Sequence, residues 1–128
     1  MPTLILYGTV FSGKGDGKKF LSLPWVKNQI EEETGFTPFE GTLNLRLTKE
    51  NVKKKELVEK GQKMKIEPAK GYCAGFLVKA QVGDVLAAVV LPIVPNYPSD
   101  VLEVVAPICL RKELGLRDGS EVAVTFVV

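Results

Sequence analysis

The chain has 128 residues, 45% of them hydrophobic and 25% charged, with a formal net charge of +2 and no histidine. This suits a single globular domain over residues 1–128 that buries a sizeable core, and the charge falls short of the basic stripe of a dedicated nucleic-acid binder. Without imidazole there is no Ser-His or Cys-His nucleophile and the commonest metal ligand is missing, so any chemistry must run on carboxylates, lysine, backbone amides or an oxygen-ligated metal.

Residues 3–11 alternate Leu4, Leu6 and Val10 with β-favouring neighbours and predict a strand. The stretch GTVFSGK (8–14) then fits all but the last position of the phosphate-binding pattern G-x-x-x-x-G-K-S/T, with Gly15 where Ser or Thr would ligate magnesium. Gly15, Asp16 and Gly17 disfavour a helix start, and residues 19–23 read as extended, so a strand-to-strand loop is expected rather than a P-loop. A flexible hairpin turn and an anion cradle built from Gly13, Gly15 and Gly17 with Lys14 and Lys18 both remain open.

Next comes a short helix with Pro24 in its first turn and Gly35 as its C-terminal cap. GTLNLRL follows as an alternating strand: Leu43, Leu45 and Leu47 face one side, and Thr42, Asn44 and Arg46 the other. Two oxygen donors thus share a face, as an outward strand surface or as ligands. Residues 48–65, with Lys53, Lys54 and Lys55 in a row, read as a solvated helix or loop rather than a nucleic-acid patch.

Residues 75–82 and 85–94 are apolar and β-branched, joined across Gly83 and Asp84 as a two-residue hairpin. VPNYPSD is a proline-broken loop, 101–105 a strand with Glu103 in its outward register, LRKELGL a short helix, and the C-terminal residues a last strand. Closely spaced strands with brief helices predict a closed all-β barrel. Trp25, Phe36 and Phe39 read as core. Cys73 and Cys109 have no metal-site spacing and are expected to be reduced and buried. No apolar run is long enough for a bilayer and no signal peptide is evident, so a cytoplasmic protein without a membrane partner is expected.

Three segments in order, GTVFSGKGDGKKFLSLP, GFTPFEGTLNLRL and YPSDVLEVVAPICLRKELGLRDGSEVAV, resemble the archaeal CTP-dependent riboflavin kinases over nearly the whole chain. The resemblance implies a closed six-stranded cradle-loop (RIFT-type) β-barrel that phosphorylates the 5′-hydroxyl of riboflavin from CTP, giving FMN and CDP with Mg²⁺. It implies that Gly13, Lys14, Gly15, Asp16, Gly17 and Lys18 wrap the nucleotide, and that Ile108, Cys109, Leu110 and Arg111 complete its site. It further implies Thr42 and Asn44 as magnesium ligands and Glu103 as the flavin contact, positioning or deprotonating the hydroxyl. The second flavin contact, a threonine in the family, falls on Pro95, with Asn96 or Tyr97 nearby to replace the missing hydroxyl. A monomer that binds no nucleic acid is expected. The competing reading is a non-enzymatic barrel that binds nucleic acid or a protein partner, as transcription factors of related topology do.

Overall fold

The computed structural model describes residues 3–127. Seven strands and four helices follow in the order β1 (Thr3–Phe11), α1 (Asp16–Leu21), α2 (Pro24–Thr34), β2 (Leu43–Leu47), α3 (Lys49–Lys60), β3 (Met64–Ile66), β4 (Gly75–Val82), β5 (Val85–Pro92), β6 (Val101–Val105), α4 (Leu110–Glu113) and β7 (Glu121–Val127). Six of the strands close an antiparallel barrel in the order β4-β5-β6-β2-β1-β7, sealed by Gln81 of β4 opposite Thr125 of β7. Closure removes the unpaired edges that an open sheet of this size would present. The short β3 pairs with the other end of β4, outside the ring.

The barrel is filled by the apolar half of each alternating strand. Leu6 and Val10 of β1, Leu43, Leu45 and Leu47 of β2, Val89 of β5, Leu102 and Val104 of β6, and Val124 and Phe126 of β7 meet in one interior cluster. Gly8 belongs to this layer because a Cβ there would lie 2.7 Å from that of Leu45, closer than two side chains can pack. A second apolar layer lies outside the wall. Leu21 of α1 and Val26 and Ile30 of α2 cover Leu77, Ala88, Val90 and Val105, which point away from the interior. Each central strand of this region is therefore apolar on both faces.

Most sequence expectations stand, including the hairpin turn at Gly83, whose φ of 57° favours glycine, and the left-handed cap of α2 at Gly35. The expected strand over 19–23 is overturned: Asp16–Leu21 is helical, and the glycine loop runs from strand to helix. Local propensity opposes this helix, but Leu21 is fully buried in the outer layer, and that tertiary burial outweighs a glycine cost of ~1 kcal/mol.

Other corrections are smaller. Cys73 is exposed and Cys109 half-buried. Phe39 is exposed rather than core, while Trp25 and Phe36 pack against the outer layer. In the lysine run Lys53 faces solvent, but Lys55 turns inward and is buried with Asn51 of the preceding helical turn. Strand β3, three residues long, had no pattern of its own. Among the described residues no helix is long and apolar enough to cross a membrane.

Candidate active site

The polar side chains singled out from sequence lie on the outer face of the barrel, where the apolar outer layer gives way to polar residues. Asn44 of β2 stands opposite Glu103 of β6, and Glu103 stands opposite Val90 of β5, so the strand register places a carboxylate and an amide side by side at the rim of a dry surface. Thr42, just before β2, donates from Oγ1 to Glu103 Oε1 at 2.9 Å. Tyr97, in the loop between β5 and β6, donates its hydroxyl to Glu103 Oε2. Burial and the neighbouring carboxylate hold the Tyr97 phenol well above its ordinary range, so it stays a donor.

The glycine loop closes over this group from α1. A Cβ on Gly13 would fall 2.5 Å from Asn44 Nδ2, and one on Gly17 would fall 2.2 Å from Thr42 Oγ1. Glycine at these two positions is what lets the backbone approach the polar pair so closely. Gly15, between them, is left-handed at φ 86° and begins α1. Lys14 and Lys18 are exposed on the same loop, so the cleft carries cations without buried charge.

A cleft of about 770 Å³ lies between this loop and the strand face, lined by Gly13, Lys14, Gly15, Asp16, Gly17 and Lys18 on one side and by Thr42, Asn44 and Glu103 on the other. Two further cavities open from it. The first, about 210 Å³, is mostly apolar and formed by Phe39, Ile108, Cys109 and Leu110, sharing Gly41, Thr42 and Arg111 with the central cleft. The second, about 420 Å³, is walled by Phe20, Val90 and the 71–75 segment, sharing Thr42, Tyr97 and Glu103 with the centre. Thr42 thus borders all three spaces.

Arg111 enters the cleft tethered: its Nη2 donates to Asp118 Oδ1 at 2.6 Å and to Ser12 Oγ at 3.3 Å, while Ser12 Oγ donates to the Asp118 carboxylate. These contacts hold the Asp118 carboxyl below its ordinary value. They also tie the start of the glycine loop to α4.

Of the residues singled out from sequence, those of the loop, Thr42, Asn44, Glu103 and the 108–111 segment converge on these connected spaces. Pro95 lines none of the three: it lies in an adjoining groove with Lys55 and Glu59, which borders the central cleft at Tyr97 and Pro98. Sequence reasoning missed Ser12, Asp118 and Lys55, and it gave Tyr97 only as a substitute for Pro95. The one sequence sign for Lys55 is its spacing, four residues after Asn51 and three before Val58, on the helix face that is buried. Among the described residues no cluster of three acidic or cysteine side chains forms a metal site. Thr42, Asn44 and Glu103 are among the hard oxygen donors that line the cleft and could hold a cation.

A family model with the short name CTP-dep_RFKase, described as "Domain of unknown function DUF120", matches residues 10–126. Similar proteins include a riboflavin kinase of Archaeoglobus fulgidus, 35% identical over 98% of this chain and 56% of its own length. A riboflavin kinase of Pyrobaculum arsenaticum is 42% identical over 96% of this chain and 60% of its own length. One of Ignicoccus hospitalis is 38% identical over 93% of this chain and 69% of its own length. The chain therefore spans little more than half the length of the first two relatives. With the family model covering nearly all of it, the chain belongs to the CTP-dependent riboflavin kinase domain family.

Proposed function

We propose that this chain is a riboflavin kinase that transfers the terminal phosphate of CTP to the 5′-hydroxyl of riboflavin, releasing FMN and CDP. The observation that carries the reading is the row of three connected spaces meeting at Thr42, with Glu103 on the wall between the central cleft and the 420 Å³ cavity. A nucleoside triphosphate needs a base pocket next to a phosphate channel, and an acceptor alcohol needs a second pocket opening at the channel's far end. The small cavity by Ile108, Cys109 and Leu110 suits the cytosine, with specificity from backbone groups. The larger, apolar cavity suits the flavin ring.

Phosphoryl transfer asks a protein mainly to align the reactants and to neutralise charge on the moving group. Backbone amides of residues 13–18, with Lys14, Lys18 and Arg111, are the groups available to hold the phosphates. Thr42 Oγ1 and Asn44 Oδ1 fit a magnesium site: both are neutral hard oxygens, and a cation that draws most of its octahedron from phosphate and water needs few protein ligands. Bound there, Mg²⁺ would neutralise charge on the phosphate oxygens.

Glu103 accepts from Thr42 and Tyr97, yet a carboxylate has about four lone-pair sites, so room remains for the 5′-hydroxyl. In the step, the 5′-oxygen bonds to the terminal phosphorus and the bond from phosphorus to the CDP oxygen breaks. The hydroxyl proton passes to Glu103 and then to solvent.

The test is to incubate the protein with riboflavin, Mg²⁺ and either CTP or ATP, and to separate flavins by chromatography. FMN formed with CTP, lost on chelation of Mg²⁺, is the expected result. No FMN with either nucleotide overturns the reading; equal rates with ATP overturn the choice of CTP.

A further inference from the structure

We infer that Tyr97 is a positioning residue that sets the carboxylate of Glu103 at the boundary between the phosphate cleft and the acceptor cavity, and that Lys55 fixes Tyr97 from behind. The inference rests on the proposed function for its catalytic meaning, and on geometry alone for the arrangement. A glutamate at a cleft rim has three free torsions and would sample several rotamers. Here each oxygen is held by a donor from a different element: Thr42 takes Oε1 at 2.9 Å and Tyr97 takes Oε2. Two anchors fix the orientation of the carboxylate at a residue that lines both the cleft and the acceptor cavity.

Tyr97 can serve this way only if its loop is itself fixed, and several features fix it. Pro95 and Pro98 limit the backbone on either side, Asn96 takes a left-handed φ of 63°, and the Tyr97 amide donates to Val94 at 3.2 Å. Behind the ring lies Lys55 of α3, buried, with Nζ 6.0 Å from the ring centroid and donating to the carbonyls of Ser99 at 3.3 Å and Val101 at 3.2 Å.

A buried ammonium bonded to carbonyls instead of a carboxylate is costly, and burial holds its pKa below the ordinary value. Its position gives it a role: one cation bonds both Ser99 and Val101, tying the segment that leads from Tyr97 to the start of β6, the strand that carries Glu103. A neutral apolar side chain could fill the space but could not hold those two carbonyls.

The first experiment is a cycle of Tyr97→Phe and Glu103→Gln, followed by steady-state kinetics. Phe keeps the ring and its packing on Lys55 and removes only the hydroxyl. Tyr97→Phe should lower kcat about tenfold while KM for CTP stays within about twofold, because orientation and not nucleotide binding is lost. In the Glu103→Gln background the same change should cost less than about twofold, since its effect runs through Glu103. Equal losses in both backgrounds, or no loss in the single variant, overturn the proposal.

The second measurement needs neither substrate nor activity. In proton NMR of the ligand-free protein, the Tyr97 hydroxyl, shielded and bonded to a carboxylate, should give a downfield resonance that disappears in Glu103→Ala and broadens in folded Lys55→Met. Its absence from the wild-type spectrum overturns the positioning claim even if the protein is a kinase. Its presence in a protein that makes no FMN upholds the arrangement and removes only the proposed reaction. A sharp, unshifted signal in Lys55→Met removes Lys55 from the proposal.

Discussion

The two faces of strands β2 and β6 carry different work. Inward, Leu43, Leu45, Leu102 and Val104 fill the barrel with other apolar residues, and Leu43 and Val104 also reach the 210 Å³ cavity at its end. Outward, Asn44 and Glu103 share one register position, and Thr42 and Tyr97 close around them. The same backbone therefore supports a face that mainly holds the fold together and a face that carries the polar groups of the cleft. Because alternation separates them by one residue, substitutions a single position apart should affect different measurements.

The largest expected effect is on the inner face. Leu45→Ala removes a fully buried side chain from the centre of the barrel and should cost ~2–5 kcal/mol of stability. Chemical denaturation would record it as a lower midpoint at unchanged slope. Turnover per folded molecule should be unaffected at low temperature. A collapse of kcat in protein that is still folded would show that the two faces are not independent.

Glu103→Gln tests the outer face by the opposite pair of readouts. If Glu103 receives the hydroxyl proton, turnover should fall by about a hundredfold or more, while CTP affinity and the denaturation midpoint stay near wild type. The side chain is only half-buried and the amide oxygen can still accept a bond from Thr42 or Tyr97. A rate within twofold of wild type would remove Glu103 from the chemistry.

Gly17→Ala probes the loop that closes on that face, and it sets two effects against each other. Alanine favours helix over glycine by about 1 kcal/mol, but its Cβ would fall 2.2 Å from Thr42 Oγ1. The loop must move off the strand, so CTP affinity should drop about tenfold, measured by calorimetry, with little net change in thermal stability. Tight CTP binding by this variant would show that the close approach is dispensable.

How much could be read from sequence divides along the same two faces. The inner face was legible because its signal is periodic: Leu43, Leu45 and Leu47 announce a strand and its buried side, and Gly83-Asp84 announces a hairpin. Helix α1 was not legible, since Gly15, Asp16 and Gly17 argue against it locally and the burial of Leu21 that forms it depends on residues far along the chain. Outer-face residues such as Asn44 and Glu103 could be placed by register but gained a role only through the family's motifs, because alternation alone does not distinguish a ligand from a solvent-facing side chain. Tyr97 opens one of the family's segments but was given no role there beyond a stand-in for Pro95, and Lys55 lies outside all three segments. Their meaning lies in contacts between α3, the 93–100 loop and β6, and only the closed barrel brings these together.

The smallest effect is expected at the tether between loop and α4. Arg111 and Ser12 hold the Asp118 carboxyl below its ordinary value of 3.8, so the ion pair contributes stability that is present above that value and lost as pH falls through the depressed folded value. Asp118→Asn should therefore differ from wild type at pH 7, and the two stability curves should converge under strongly acid conditions. The pair is exposed, so the difference should be slight and should shrink in molar salt. Its effect on binding can have the opposite sign. Freed from Asp118, the Arg111 guanidinium is a better partner for an entering phosphate, so CTP affinity at low salt should rise modestly even as the fold loosens. If Asp118→Asn weakens CTP binding instead, the tether acts by holding the loop start in place, and Ser12→Ala should then weaken binding in the same direction.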